Sequence, residues 1–95
     1  MADVVIENQT DASRYALSVD GELVSVLDYR VLDAQISFPH TFTKPHRRGQ
    51  GWAEKLVEFA IDDVEQNSAR RVVPMCWYVA EWFDAHPERA GLLTR

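Results

Sequence analysis

Residues 41–66, TFTKPHRRGQGWAEKLVEFAIDDVEQ, run from a β-type segment through a glycine-containing turn into a long segment with a helical pattern of apolar residues. The apolar positions of that last segment are Ala53, Leu56, Val57, Ala60, Ile61 and Val64. Their spacing predicts one amphipathic helix over residues 52–66, with a single apolar face. Because such a face must pack on another element, this strand–turn–helix unit predicts a helix lying on a β-sheet.

The residues before this unit predict an antiparallel sheet. Four ranges have β-type patterns and are separated by turn residues: 4–6, 14–19, 22–30 and 34–38. Asp20-Gly21, between the second and third ranges, is a strong hairpin signal. Alternation along the third range places Ser25 on one face of the strand and Val24 on the other. Pro39 has no N–H to donate, so we expect it to interrupt the fourth strand.

The residues after the helix predict a short strand and a second helix. Residues 71–75 are a β-rich run in which Pro74 favours an edge position. Residues 77–86 have apolar side chains at helical spacing, and this helix should end before Pro87. The tail, residues 88–95, either docks as a last short helix or frays. The three tryptophans are expected to be packing residues: Trp52, Trp77 and Trp82.

Together these elements predict an α+β fold in which two or three helices pack on a mainly antiparallel sheet of about five strands. The chain has 95 residues, 46% of them apolar and 26% charged, which predicts one small globular domain over residues 1–95. Its net charge of −5 opposes general binding to nucleic acid or to anionic lipid. The longest nearly apolar run, residues 72–80, contains Pro74 and is far too short to span a membrane.

The chain has one cysteine, Cys76, and three histidines. One cysteine excludes an internal disulfide, and so few scattered ligands predict no metal site. Residues 1–8 alternate charged and apolar side chains, whereas a signal peptide has an apolar centre. We therefore expect a cytoplasmic protein.

The turn before the predicted helix has the composition of a phosphate-binding loop. The first turn of a helix has N–H groups without internal partners and a partial positive charge, and both favour an anion. Gly49 and Gly51 permit positive φ and let a phosphate approach the main-chain amides. Four groups that are or can become cationic lie nearby: Lys44, His46, Arg47 and Arg48. Two other interpretations stay open at this point, a flexible turn with solvated arginines and a nucleic-acid contact.

The segment Arg48-Gly49-Gln50-Gly51-Trp52-Ala53 matches Q/R-x-x-G-x-G/A between a strand and a helix, the signature of the GNAT acyl-CoA N-acyltransferases. The early hairpin and further segments extend the likeness over nearly all of the chain: Pro39-His40-Thr41, and residues 73–79 closing on His86-Pro87-Glu88. The chain therefore resembles the very small GNAT-like subfamily, and this resemblance implies a GNAT-like α+β fold.

The resemblance also implies an N-acetyltransferase that uses acetyl-CoA as cosubstrate and an unidentified amine as acceptor. The backbone of residues 38–43 would pair with the pantetheine arm, and the turn amides of residues 48–53 would hold the pyrophosphate. The expected coenzyme-binding residues are Phe42, Thr43, Arg47, Arg48, Gly49, Gln50, Gly51, Trp52 and Ala53. Charge and proximity, rather than the resemblance, place Arg47 or Lys44 near the nucleotide's other phosphate. The alternative function is a non-catalytic acyl-CoA-binding or sensing module.

Cys76 and His40 are the candidate catalytic residues. Cys76 follows a strand and precedes a helix, whose dipole would lower the pKa of its thiol, and the subfamily has a cysteine at this place. It is an acyl-accepting nucleophile, a wall of the acyl pocket or an inert core residue. If the amine instead attacks the thioester directly, Tyr78 or water protonates the leaving thiolate. His40 is the nearest candidate base or a structural histidine, and His86 is assigned to a helix end. The acidic helix face from Glu54 to Glu65 is either a solvated surface or a region that attracts a cationic acceptor.

Overall fold

A computed structural model describes residues 3–95 and shows one five-stranded sheet. The strands are β1 (Val4–Gln9), β2 (Arg14–Val19), β3 (Glu22–Leu32), β4 (Gln35–Thr43) and β5 (Arg71–Val73). The helices are α1 (Trp52–Asn67) and α2 (Trp77–Ala85), and three 3₁₀ segments cover Thr10–Ala12, Pro45–Arg47 and Pro87–Leu93. This arrangement confirms the predicted α+β fold.

The sheet has the order β1-β2-β3-β4-β5. Its first four strands form an antiparallel meander, and β5 pairs in parallel with β4 after the chain crosses over through α1. The predicted hairpin lies between β2 and β3. Its turn residues Asp20 and Gly21 have φ values of 51° and 83°, and a type I′ turn requires positive φ at both positions.

The helices begin and end close to the predicted residues. α1 begins at Trp52 and ends one residue after Gln66, and α2 ends at Ala85, before Pro87. The tail docks rather than frays, because Leu92 in the last 3₁₀ segment is only 3% exposed. No helix within residues 3–95 is long and apolar enough to cross a membrane.

A β-bulge at Val24 changes which side chains β3 buries. Leu17 pairs with Ser25 but Ser18 pairs with Leu23, so Val24 is an extra residue in β3. Val24 and Ser25 are both 1% exposed, and the prediction that strict alternation separates them is therefore wrong. The buried Ser25 hydroxyl has two polar neighbours, the Phe42 carbonyl at 3.2 Å and the Thr43 hydroxyl at 2.9 Å.

A second bulge lies in β4 at the predicted interruption. Asp28 pairs with His40 and Arg30 pairs with Ser37, so two β4 residues, Phe38 and Pro39, lie opposite one residue of β3. Pro39 therefore interrupts the pairing with β3, as predicted, and pairing resumes at His40 with a shifted register, so that β4 is one continuous strand to Thr43.

The apolar stripe of α1 packs on one face of the sheet and shares a core with α2 and the last 3₁₀ segment. The Tyr15 hydroxyl on β2 donates a hydrogen bond to the Asp63 carboxylate on α1 at 2.6 Å, which fixes the helix over the strand. Trp82 is buried in this core, as predicted. Trp77 is 71% exposed, so the predicted packing role is wrong for this residue. Trp77 is the first residue of α2 and lines a cavity beside β4.

Candidate functional site

β4 has a second neighbouring strand only along its first three residues. β5 pairs only with residues 35–37, and the N–H of Cys76 then donates to the Phe38 carbonyl at 2.9 Å. Within the described part of the chain, residues 40–43 pair with β3 on one side and with no strand on the other. An unpaired edge of this kind accepts an extended molecule with its own amides as an additional strand.

The direction of the free main-chain groups follows from the antiparallel pattern. The N–H of Lys44 donates to the Val24 carbonyl of β3 at 2.9 Å. Because bonding alternates along an antiparallel strand, the groups of Thr41 and Thr43 face the unpaired side. The Thr43 carbonyl accepts a hydrogen bond there from Arg48 Nε at 3.0 Å, and the Arg48 guanidinium lies 5.9 Å from the centre of the Phe42 ring.

The turn after β4 leads to an uncapped helix N-terminus. Gly49 and Gly51 have φ values of 81° and 83°, the left-handed conformation that the sequence analysis allowed for them. Gly51 is the N-cap residue of α1, and no side chain among the described residues caps the helix there. The first N–H groups of α1 are therefore available to an anion. No atom lies within 4 Å of where a Cβ of Gly51 would be, so backbone conformation, not crowding, requires glycine.

A cavity of about 850 Å³ extends along the β4 edge, the glycine turn and the starts of both helices. Its lining includes almost every predicted site residue: His40, Phe42, Thr43, Arg47, Arg48, Gly49, Gly51, Trp52, Ala53 and Cys76. Gln50 does not line it, and its side-chain oxygen instead accepts a hydrogen bond from Trp52 Nε1 at 2.7 Å. The fold thus brings residues from three separate segments of the sequence to one cavity.

Three of the predicted cationic groups share a single carboxylate that the sequence analysis missed. Glu22 contacts Arg47 Nη2 at 2.8 Å, His46 Nε2 at 2.9 Å and Lys44 Nζ at 3.6 Å. The hydrogen bond from Arg47, followed by that from His46, holds the pKa of Glu22 below its ordinary value. The interpretation of a flexible turn with solvated arginines therefore does not describe Arg47.

Cys76 is half-buried and is the N-cap residue of α2. Its Sγ lies 3.4 Å from the Thr41 hydroxyl. Burial raises the pKa of this thiol, but the Thr41 hydroxyl and the N–H groups of Tyr78 and Val79 favour the thiolate and outweigh burial. The net pKa of Cys76 is therefore lowered, in the direction expected for a thiol at a helix N-terminus.

His40 and Cys76 line the same cavity but do not contact each other. Successive side chains of a strand point to opposite faces, so Thr41 faces Cys76 while His40 points to the other face of the sheet. There His40 Nδ1 lies 3.3 Å from the Asp28 carboxylate, and the imidazole is 61% exposed. Asp28 was missed because its pairing with His40 depends on the register across the β4 bulge.

The reactivity of Cys76 tests the electrostatics of this site. It is the only cysteine of the chain, so alkylation by iodoacetamide reports its ionisation directly. Because the thiolate is the reactive species, we expect the rate to reach half of its maximum at a lower pH than for an unstructured cysteine peptide. Thr41→Val removes a donor and should move that midpoint to higher pH, while Thr41→Ser should preserve it. A Thr41→Val midpoint equal to the wild-type value would contradict the role given to Thr41.

A family model described as GCN5-related N-acetyl-transferase matches residues 14–92. One similar solved structure is the ribosomal-protein-S18-alanine N-acetyltransferase from Escherichia coli, with a TM-score of 0.67 and 15% sequence identity over 83% of this chain and 54% of that one. At this identity the likeness shows a shared fold alone, and the chain spans about half of that protein's length. No curated protein matches the sequence. The family match covers most of the chain and confirms the predicted resemblance: the chain belongs to the GCN5-related N-acetyltransferase family.

Proposed function

We propose that residues 1–95 form one minimal N-acetyltransferase domain that binds acetyl-CoA and transfers the acetyl group to an amine. The observation that supports this most is that the unpaired edge of β4 leads directly to the uncapped N-terminus of α1. The amides of a pantetheine arm can pair with the unpaired edge of β4, and a pyrophosphate can accept hydrogen bonds from the first N–H groups of α1. Family membership supports the same class of enzyme.

The position of Cys76 fits the reacting end of such a ligand. The glycine turn lies at one end of the unpaired β4 edge, and Cys76 contacts Thr41 nearer the other end. A coenzyme bound along the edge, with its pyrophosphate at the turn, would therefore present its thioester near Cys76. The main-chain groups of Thr41 and the N–H of Thr43 would bind the arm, since the Thr43 carbonyl already accepts a hydrogen bond from Arg48.

The Asp28–His40 pair is suited to act as the base. A cationic amine must lose a proton before it attacks a thioester, and an imidazole held by a carboxylate can accept that proton. A second cavity of about 680 Å³ contains Asp28 and shares Pro39 and His40 with the first. An amine entering through this second cavity would meet the imidazole of His40 on its way to the thioester.

Two routes of transfer are compatible with the residues present. In the direct route, the amine nitrogen bonds to the thioester carbon, the carbon–sulfur bond breaks, and the leaving thiolate takes a proton. In the covalent route, the Cys76 thiolate bonds to the thioester carbon and the coenzyme leaves as its thiolate; the amine then attacks the acetyl group on Cys76 and the Cys76 thiolate is released. Tyr78 lines the cavity and is the candidate donor of that proton; burial, followed by the charges of Glu54 and Glu81, raises the pKa of its phenol and so keeps it protonated until the strongly basic leaving thiolate forms.

The carboxylates near Tyr78 favour a cationic amine as the acceptor. After burial, the charges of Glu54 and Glu81 raise the pKa of Tyr78, and Glu54 lines the cavity together with the exposed Trp77. Carboxylates beside an exposed aromatic ring attract ammonium groups such as those of lysine side chains or polyamines. We place this activity in the cytoplasm. The rival function, a non-catalytic acyl-CoA-binding or sensing module, uses the same binding edge without the acceptor chemistry.

Thiol release from acetyl-CoA in the presence of lysine peptides and polyamines separates these functions. We expect release to depend on the amine, and His40→Gln to lower the amine-dependent rate by about 100-fold at saturating acetyl-CoA. His86→Gln is the matched control, since the His86 ring lies at the end of α2, where its Nδ1 is 2.7 Å from the Trp82 carbonyl. Cys76→Ala should abolish turnover by the covalent route and preserve turnover by the direct one. Saturable binding without amine-dependent release would favour the sensing module.

Substitution of the turn glycine tests the anion cradle itself. Alanine at Gly51 is strained at a φ of 83°, so we expect the turn to rearrange and the amides to move away from the pyrophosphate. Gly51→Ala should weaken acetyl-CoA binding about tenfold by isothermal titration calorimetry, in line with a strain of about 1–2 kcal/mol. Gly91→Ala is the control, because Gly91 has ordinary φ and open space around it. Equal affinities for both variants would mean that the turn has only a structural role.

A further inference from the structure

Most lysine and arginine side chains of this protein contact a carboxylate or another oxygen acceptor, and Arg30 is an exception. Arg89 Nη2, for example, lies 2.9 Å from a carboxylate oxygen of Glu65. Within residues 3–95, the side chains of Arg30, Lys55 and Arg71 form no hydrogen bond and no ion pair. Of these three, Arg30 is the one that lines the second cavity. That cavity therefore contains a positive charge without a partner in the described part of the chain.

Arg30 lies beside the Asp28–His40 pair. Leu27 and Tyr29 are buried in the core and alternate along β3 with Asp28 and Arg30, so the last two point to the face of the sheet opposite the core. His40 pairs with Asp28 across the strands, and the Asp28 carboxylate lies 3.3 Å from the imidazole. Within residues 3–95, no ion pair joins Asp28 to Arg30. The guanidinium of Arg30 is therefore exposed and available to an anion in the same cavity as the proposed base.

An acceptor that has both an amine and a carboxylate matches this cavity. A guanidinium can donate two parallel hydrogen bonds to a carboxylate, whereas it repels a second ammonium such as that of a polyamine. Two residues along a strand span about 6.7 Å, so a carboxylate at Arg30 would lie several bonds from an amine at His40. Glu54 lines the main cavity but not the second one, so it would not oppose a carboxylate bound there.

We propose that Arg30 binds the carboxylate of the acceptor, and that the acceptors are ω-amino acids, in which several carbon atoms separate the amine from the carboxylate. This inference rests on the proposed function and narrows the class of its acceptor. Asp28 attracts the ammonium group, His40 takes its proton, and Arg30 selects the molecule by its other end.

Thiol release from acetyl-CoA with three acceptors of similar length tests this proposal. γ-Aminobutyrate has a carboxylate, its amide has no charge at that end, and 1,4-diaminobutane has an ammonium there. We expect kcat/KM for γ-aminobutyrate to exceed that for its amide by about tenfold, a modest factor because exposed ion pairs are screened, and the value for the diamine to be the lowest.

Substitution of Arg30 should change this preference in a way that depends on charge. Arg30→Gln should reduce the tenfold ratio to about twofold, and Arg30→Lys should keep it at about fivefold because the positive charge remains. Arg71→Gln is the matched control. It removes the same charge from β5, and Arg71 lines neither of the two cavities, so its loss should leave the ratio unchanged. The wild-type ratio should also fall as salt is raised.

The outcomes separate this proposal from the one on which it rests. If the wild-type protein uses the amide or the diamine as well as γ-aminobutyrate, or if Arg30→Gln leaves the ratio unchanged, the carboxylate site is refuted while amine acetylation stands. An equal fall of the ratio in Arg71→Gln would also refute it, because general charge would then set the preference. If no amine supports thiol release, the proposed function fails and this inference fails with it. Comparing acceptors on the same variant removes losses of stability and of coenzyme affinity from the ratio.

Discussion

The site depends on an imbalance in main-chain hydrogen bonding: β4 is nine residues long, but β5 offers it a partner over only three. Pro74 follows directly and cannot donate to a ladder, so the chain leaves the sheet there. The N–H of Cys76 donates a hydrogen bond to the Phe38 carbonyl, and α2 begins at the next residue. At the other end of the exposed edge, Gly51 lets α1 begin without a side-chain cap. An unpaired row of main-chain groups therefore lies between two helix N-termini, and both of these are electropositive.

Charged groups of both signs lie along the site. Near the glycine turn, Glu22 holds Lys44, His46 and Arg47 together and leaves an excess of positive charge. Glu54, in the first turn of α1, and Glu81 on α2 add negative charge near Tyr78, whose pKa burial and then these two carboxylates raise. The proposed binding of an anionic coenzyme by a protein of net charge −5 therefore depends on short-range contacts at the glycine turn, which outweigh the screened net charge.

Features set by local sequence were predictable, whereas features set by pairing between strands were not. The helix at Trp52 follows from apolar spacing within one segment, and the positive φ of Gly49 and Gly51 follows from the absence of a Cβ. The contacts of Asp28 with His40 and of Thr41 with Cys76 depend on a bulge and on the point where β5 leaves the sheet. Neither the bulge nor the point where β5 leaves the sheet is marked by a pattern in the local sequence. Glu22 lies far from Lys44, His46 and Arg47 in sequence, and it contacts them only because the folded hairpin lies beside the turn.

The central claim is that the unpaired edge of β4 and the start of α1 together bind one coenzyme molecule. Titration of acetyl-CoA into ¹⁵N-labelled protein, followed amide by amide, measures this directly. The account predicts saturable shifts at Thr41, Phe42 and Thr43 and at residues 49–53, with little change in β1 and β2. Shifts confined to the distant strands, or saturation of the turn amides without any response along β4, would contradict it.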